Sequence, residues 1–215
     1  MIRSPRRRSR MAEGLPPITA EKIVAAALEL TRAHGLDTWS IRRLSGALDV
    51  WPGVIYHHVG DRDAVVAEVT GAVVAALPVP DPSLPWRQWF TELLLDGRTV
   101  MRQYPGVARR MCLVGPTVPA ALPVVETGVQ ILERAGFGAD AALVYRYLFN
   151  SAFLLVAAED DRAAAPAAPA APAARERAPH QQTPDEAATA FYAFTVARAL
   201  DGAEALLGRG THRTR

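Results

Sequence analysis

SIRRLSGALDVWPGVIYHHVGDR, residues 40–62, decides the fold. Ser40 is a good helix N-cap, and Ile41, Leu44, Ser45 and Leu48 follow it at helical spacing on one face. Arg42 and Arg43 stand near the start of this helix. Asp49 falls where the chain must turn, and Asp tolerates the left-handed conformation better than most residues with a Cβ. Val50, Val54 and Ile55 form a second apolar set, and Pro52 suits the first turn of a new helix, where its missing N–H loses nothing. That helix lasts roughly two turns, carries Tyr56, His57 and His58 outward, and stops at Val59-Gly60. Asp61 then caps the next helix. Two short helices about a tight turn, the second bearing aromatic and imidazole groups beside arginines, have the geometry of a helix-turn-helix that reads DNA.

Working outward, Thr19 caps a first helix that runs to about His34, with Gly35 as its stop and Ile23, Val24, Ala27, Leu28 and Thr31 as its inner stripe. A fourth helix starts at Asp61, carries Val65, Val66, Val69 and Val73, and ends near Leu77. Pro78-Val79-Pro80-Asp81-Pro82 breaks the pattern and marks a domain boundary, giving a head over 18–77 and a body over 83–208. Residues 1–17 read as a disordered Arg-rich arm. The arm either reaches a DNA groove or phosphate, or is an upstream extension of a product that starts at Met11.

The body also reads as all-helical. Ser83 is expected to cap a long helix through Trp86, Trp89, Phe90, Leu93, Leu94 and Met101, and a short one follows from Gly106 to Cys112. Pro119 to Gly136 forms a third element, with Val125, Val129 and Leu132 on one face, and Asp140 to Asp160 a fourth. Residues 163–182 are an Ala/Pro-rich loop, too dense in proline for an α-helix. Thr183-Pro184-Asp185-Glu186 carries a helix start with Thr as N-cap, Pro at N1 and Glu at N3. The fold class is therefore all-α. The run from Ala141 to Ala158 approaches membrane-span length, but Arg146 and Asn150 interrupt it and acids flank it, so it reads as an interior helix of a bundle.

From Ile18 to about Val69 the chain resembles the N-terminal domain of TetR-type (tetracycline repressor-like) transcriptional regulators. Four pieces carry the resemblance at matching spacing: the Ala-Leu-Glu-Leu run ending in Ala33-His34-Gly35-Leu36, Ser40-Ile41-Arg42-Arg43-Leu44, Ile55-Tyr56-His57-His58-Val59, and Asp61-Arg62-Asp63. Trp51 departs from the small hydroxyl or polar residue usual there, the position of a phosphate contact at that helix start. Asp49 stands where Gly is usual. The resemblance is looser over 84–112 and architectural beyond. It implies that Arg42, Gly53, Val54, Tyr56, His57, His58 and Arg62 lie at the DNA, with Tyr56, His58 and Arg62 mainly on phosphates and Arg42 and His57 on bases. Tyr56 and Trp51 could instead pack against the first helix. Arg43 reads as a solvated charge or a partner for an acid on the fourth helix.

Charge distribution fits this reading. Residues 1–62 hold ten Lys or Arg against six Asp or Glu, but five of the ten lie in the first ten residues. Binding to phosphate would thus rest on the placement of a few cations rather than on bulk charge. Cys112 is the one cysteine, which excludes an intrachain disulfide and a Cys-based metal site and reads as a small buried hydrophobe. His57 and His58 are adjacent on a helix, about 100° apart, and do not make a metal site. No cofactor or metal is expected. No apolar leader is present at the N-terminus, so a cytoplasmic location is expected.

The body carries no phosphate loop, paired carboxylates or nucleophile motif, so an enzyme is not expected. It offers instead bulky apolar groups on several helices, the usual lining of a small-molecule site. Trp86, Trp89, Phe90, Tyr104, Met111, Tyr145 and Phe149 are the candidates for a small hydrophobic effector, against plain core packing for each. The helix from Asp140 is apolar on more than one face: Leu143, Tyr147 and Leu154 point one way, and Val144, Leu148 and Leu155 another. Phe191, Phe194 and Leu200 add spare surface on the last helix. The resemblance implies that these two helices from each subunit form a four-helix bundle in a homodimer. The expected function is a repressor that leaves a palindromic double-stranded DNA operator when a ligand binds, with the fourth helix as the lever. A constitutive or protein-partnered regulator, or an all-α enzyme or carrier, are the alternatives.

Overall fold

The computed structural model describes residues 17–115, 118–165 and 183–210. Thr19 accepts a hydrogen bond from Lys22 N–H (3.4 Å) and starts α1 (Ala20–His34). Gly35, at φ 88°, ends it with its N–H on Thr31 O (2.8 Å). The buried face of α1, Ile23, Ala27 and Thr31, meets Trp39 from the following loop. The Trp39 indole is buried and donates Nε1–H to Thr31 Oγ1 (2.9 Å), which itself donates to Ala27 O (2.8 Å). A bulky aromatic can fill this core because its polar edge is satisfied.

Ser40 accepts from Arg43 N–H (3.3 Å) and opens α2 (Ile41–Ala47). Asp49 takes the left-handed conformation (φ 52°), and Val50 N–H closes the turn on Ser45 O (3.0 Å). Pro52 begins α3 (Pro52–His58), which buries Ile55 completely. Asp61 Oδ1 accepts from Ala64 N–H (2.9 Å) and starts α4 (Arg62–Ala75). Arg43 does not reach an acid on α4; its Nη2 lies 2.6 Å from His34 Nε2, tying α2 to the end of α1.

α4 is buried on two sides. Val65, Val66, Val69 and Val73 belong to the head core, while its far end meets the body. The body comprises α5 (Trp86–Met101), α6 (Val107–Val114), α7 (Leu122–Leu132), α8 (Ala141–Ala164) and α9 (Pro184–Gly210). Ser83 does not cap α5: its N–H donates to Asp81 Oδ1 (2.8 Å), and Pro85 takes the cap position. The single element expected over 119–136 resolves into a 3-10 turn (Pro119–Ala121), α7, and a wider π turn (Glu133–Phe137) that Gly136 closes at φ 99°. α8 passes the expected end at Asp160 and runs to Ala164, since Ala163 and Ala164 are good helix formers. Ala165, ahead of Pro166, is extended, as a residue before proline prefers. The expected arm (up to residue 16) and the rest of the Ala/Pro loop (166–182) lie outside the described residues. At Thr183 the capping box forms in both directions, Thr183 N–H to Glu186 Oε2 (2.7 Å) and Glu186 N–H to Thr183 Oγ1 (3.2 Å).

α8 packs against α5, α6, α7 and α9. Its C-terminal end carries three acids in a row, each held. Glu159 is buried with Arg98 of α5 (3.1 Å), Asp160 accepts from Gly106 N–H (2.9 Å), and Asp161 pairs with Arg109. Arg98 also lies over the ring of Tyr192 on α9 (5.2 Å), and Tyr192 donates its hydroxyl to Leu94 O (2.9 Å). The elbow between α5 and α6 in turn grips the head. Leu36 N–H donates to Pro105 O (2.8 Å), and Arg32 Nη2 donates to the Tyr104 hydroxyl (2.6 Å). Head and body are thus joined at α4 and, separately, at the elbow.

Candidate nucleic-acid interface and ligand cavity

The outer face of α2 and α3 gathers the reading candidates. α3 hangs on Ile55, which turns Gly53, Tyr56, His57 and His58 to solvent; Tyr56 is 54 % exposed. Arg42 is exposed on α2, and neither its guanidinium nor the Tyr56 hydroxyl has a partner among the described residues. The His57 and His58 rings meet edge to face at 5.2 Å. Nothing lies within 4 Å of where a Cβ would stand on Gly53, so the backbone there is open to close approach. Val54 is half-buried and packs against the head core. Neither Tyr56 nor Trp51 packs against α1: Trp51 is 64 % exposed at the N-cap of α3 and makes no cap hydrogen bond.

Arg62 departs from this set. Its Nε and Nη2 donate to Trp39 O (3.2 Å) and Leu36 O (2.8 Å), and its guanidinium lies over the Trp39 ring at 5.1 Å. It fastens the α1–α2 loop to the start of α4, a role hidden from the sequence because both acceptors are backbone carbonyls more than twenty residues away.

A second site opens in the body. A cavity of about 200 Å³ lies between the end of α4 (Val74, Leu77), Met111 of α6, Val124, Val125 and Val129 of α7, and α8. From α8 come Tyr145, Arg146, Phe149, Asn150 and Phe153. Of the expected ligand residues, Met111, Tyr145 and Phe149 line it and four do not. Trp89 and Phe90 are wholly buried core, Trp89 donating Nε1–H to Pro80 O (3.1 Å). Trp86 packs on Phe137 (5.2 Å), and Tyr104 belongs to the elbow. The lining valines and Asn150 went unread, although Arg146 and Asn150 stood out in the sequence as breaks in an apolar run. Cys112 is half-buried beside the cavity-lining Met111, and burial pushes its thiol up.

Gly128 lets Tyr145 reach this place, since its missing Cβ leaves room for the ring against α7. Tyr145 stacks on Phe149 at 4.4 Å, and burial holds its phenol well above the ordinary range.

Among the described residues, then, a helix-turn-helix head adjoins an all-helical body that encloses a cavity. No family model matches the chain. It is 31 % identical over 142 residues to an HTH-type transcriptional regulator of Saccharopolyspora erythraea, covering 63 % of this chain and 60 % of the relative's length. The TetR family protein ActR of Streptomyces coelicolor, solved with (S)-DNPA, is 26 % identical, with a TM-score of 0.62 over 68 % of this chain and 73 % of ActR. A TetR variant of Acinetobacter baumannii, solved with minocycline, shares the fold over 88 % of this chain and 98 % of its own, at 22 % identity and a TM-score of 0.72. In sequence and in fold the chain is thus similar to TetR-type, tetracycline repressor-like regulators, and it spans about 60 % of the length of the curated relatives it matches.

Proposed function

We propose that this protein is a DNA-binding transcriptional regulator, a repressor that a small ligand releases from its operator in the cytoplasm. The observation that carries the reading is α3 itself, which spends Ile55 on the core and presents Tyr56, His57 and His58 beside Arg42. A helix so presented fits the major groove, where base edges carry a distinguishable hydrogen-bond pattern. Footprinting of the DNA around its own gene tests this. A protected palindrome is expected, with binding that weakens steeply as salt rises. Protection that ignores sequence would refute it.

A reader this small binds tightly only by spanning two half-sites, which requires a dimer. Leu143, Tyr147 and Leu154 of α8 and Phe191 and Phe194 of α9 are all at least half exposed, and they supply an apolar surface for a second copy. Leu200, assigned to that surface in the sequence reading, is buried in the subunit. Sedimentation at micromolar concentration should show a dimer; a monomer alone would overturn it. The open cavity supports a ligand-responsive regulator over a constitutive one, and the small molecule held by ActR supports it further. Because Val74 and Leu77 at the end of α4 form part of the cavity wall, a ligand there would act on the helix that leads to the head. It would shift the equilibrium only by its differential affinity for the two arrangements.

A further inference from the structure

Each of the few polar side chains of the cavity can donate a hydrogen bond, although Tyr145 and Asn150 can accept one as well. Among the described residues no Asp or Glu lines it, and its side-chain donors are the Tyr145 hydroxyl, the Arg146 guanidinium and the Asn150 amide, all on α8. Arg146 and Asn150 are one helical turn apart and so lie on one face. Arg146 is exposed and, like Arg110 and Arg162, has no side-chain partner among the described residues, but of these three it alone lines the cavity; Arg87, Arg98, Arg102 and Arg109 of the same body are each paired with a carboxylate. Tyr145 is only 8 % exposed, yet no described group accepts from its hydroxyl, in contrast to Tyr192, whose hydroxyl is satisfied by Leu94 O. A buried donor without an acceptor costs about 1–3 kcal/mol, and a ligand oxygen would remove that cost.

Size narrows the class. A cavity of about 150 Å³ admits a benzene, and pockets for drug-sized ligands start near about 300 Å³. At about 200 Å³ this one suits one or two rings. The apolar wall, with Phe149 and Phe153 edge to face at 5.4 Å, suits a flat ligand.

We propose that the effector is a small aromatic acid, its one or two rings held among Val125, Val129, Phe149 and Phe153, and its carboxylate accepting from Arg146, Asn150 and the Tyr145 hydroxyl. This rests on the ligand-responsive reading above.

Calorimetric titration of the full chain with 2-naphthoate, 2-naphthamide and 2-naphthylmethylammonium tests it. Naphthoate should bind on the order of tenfold tighter than the amide, the size of one charge-assisted hydrogen bond, and the ammonium should bind weakest. Arg146→Met should bring naphthoate down to the level of the amide without moving the amide. Tyr145→Phe should weaken naphthoate further. Amide or ammonium binding as tightly as naphthoate, or an unchanged preference in Arg146→Met, would overturn the acid assignment while leaving the cavity a ligand site. If none of the three probes binds the folded wild-type protein, the acid proposal falls. If, in addition, no compound from a wider aromatic panel releases the operator, the ligand-responsive reading falls with it.

Discussion

Gly128 on α7 and Tyr145 on α8 approach so closely that a Cβ at residue 128 would stand 2.5 Å from Tyr145 Cε2 and 3.2 Å from Trp89 Cζ3. The phenol ring therefore lies directly on the α7 backbone, wedged by Phe149 behind it. One missing methyl sets how the two helices enclose the cavity.

Gly128→Ala should accordingly lower stability. Alanine gains about 1 kcal/mol of helix propensity, but the ring it meets is buried and stacked, and overpacking of that kind costs about 1–3 kcal/mol. A fall in Tm together with weaker ligand binding is expected. A Tm that rises with unchanged ligand affinity would show that the ring moves aside freely.

Tyr145→Phe should leave the ligand-free protein as stable as the wild type or more so, because it deletes a buried donor that has no acceptor among the described residues. Urea midpoints without ligand check this. A loss of about 1 kcal/mol or more would reveal a hydrogen bond from that hydroxyl within the protein.

Asp160 gives the fold a pH dependence. Burial pushes its carboxyl above the ordinary value, Glu159 and Asp161 push the same way, and the Gly106 N–H and Arg102 oppose them. The folded state therefore holds this proton more firmly than the unfolded one. Stability contributed here falls as pH rises from about 3.9 through the raised folded value, and the deficit persists at neutral pH. Asp160→Asn keeps an acceptor for Gly106 and removes the charge. It should be more stable than wild type at pH 7 and nearly equal at pH 3, as read from denaturation midpoints. A less stable variant at pH 7 would contradict this.

The Arg98–Glu159 pair is buried on both sides. Glu159→Leu alone strands Arg98 and should cost roughly 3–5 kcal/mol, while adding Arg98→Met to it should recover most of that loss. Urea unfolding of the four proteins in the cycle measures the coupling. Equal losses in the single and double variants would mean that the charges are not what holds α5 to α8.

Two arginines of the head should separate by their readouts. Arg42→Ala should weaken operator binding by roughly 1–3 kcal/mol and relax preference at one base pair, with Tm unchanged. Arg62→Lys loses the planar fork that reaches Trp39 O and Leu36 O and the guanidinium face over the Trp39 ring, so it should lower Tm while leaving the salt dependence of DNA binding as it was. A salt slope reduced by about one with Tm intact would make Arg62 a phosphate contact after all.

Helix starts were the most legible part of the sequence because their chemistry is local. Thr19, Ser40, Asp61 and Thr183 each accept from a backbone N–H within the next three residues, and Asp49 takes the left-handed turn that its position between two apolar sets demands. Ser83 misled because Asp81 competes for the same chain with a tighter local turn. The cavity was legible only in part. Size singled out Trp89 and Phe90, but which aromatic borders a void depends on how helices cross, and small or branched residues such as Ala121, Val125 and Val129 leave the space. Nor could periodicity reveal that Gly128 admits Tyr145.

The elbow's grip on the head has a mechanical corollary. A rigid piece pinned at a single point can swivel in any direction, whereas one pinned at two has only the line between the pins to turn about. With α4 as one pin and the Leu36–Pro105 bond as the other, a push on Val74 or Leu77 can swing Tyr56 and His57 along only one arc for as long as both pins hold.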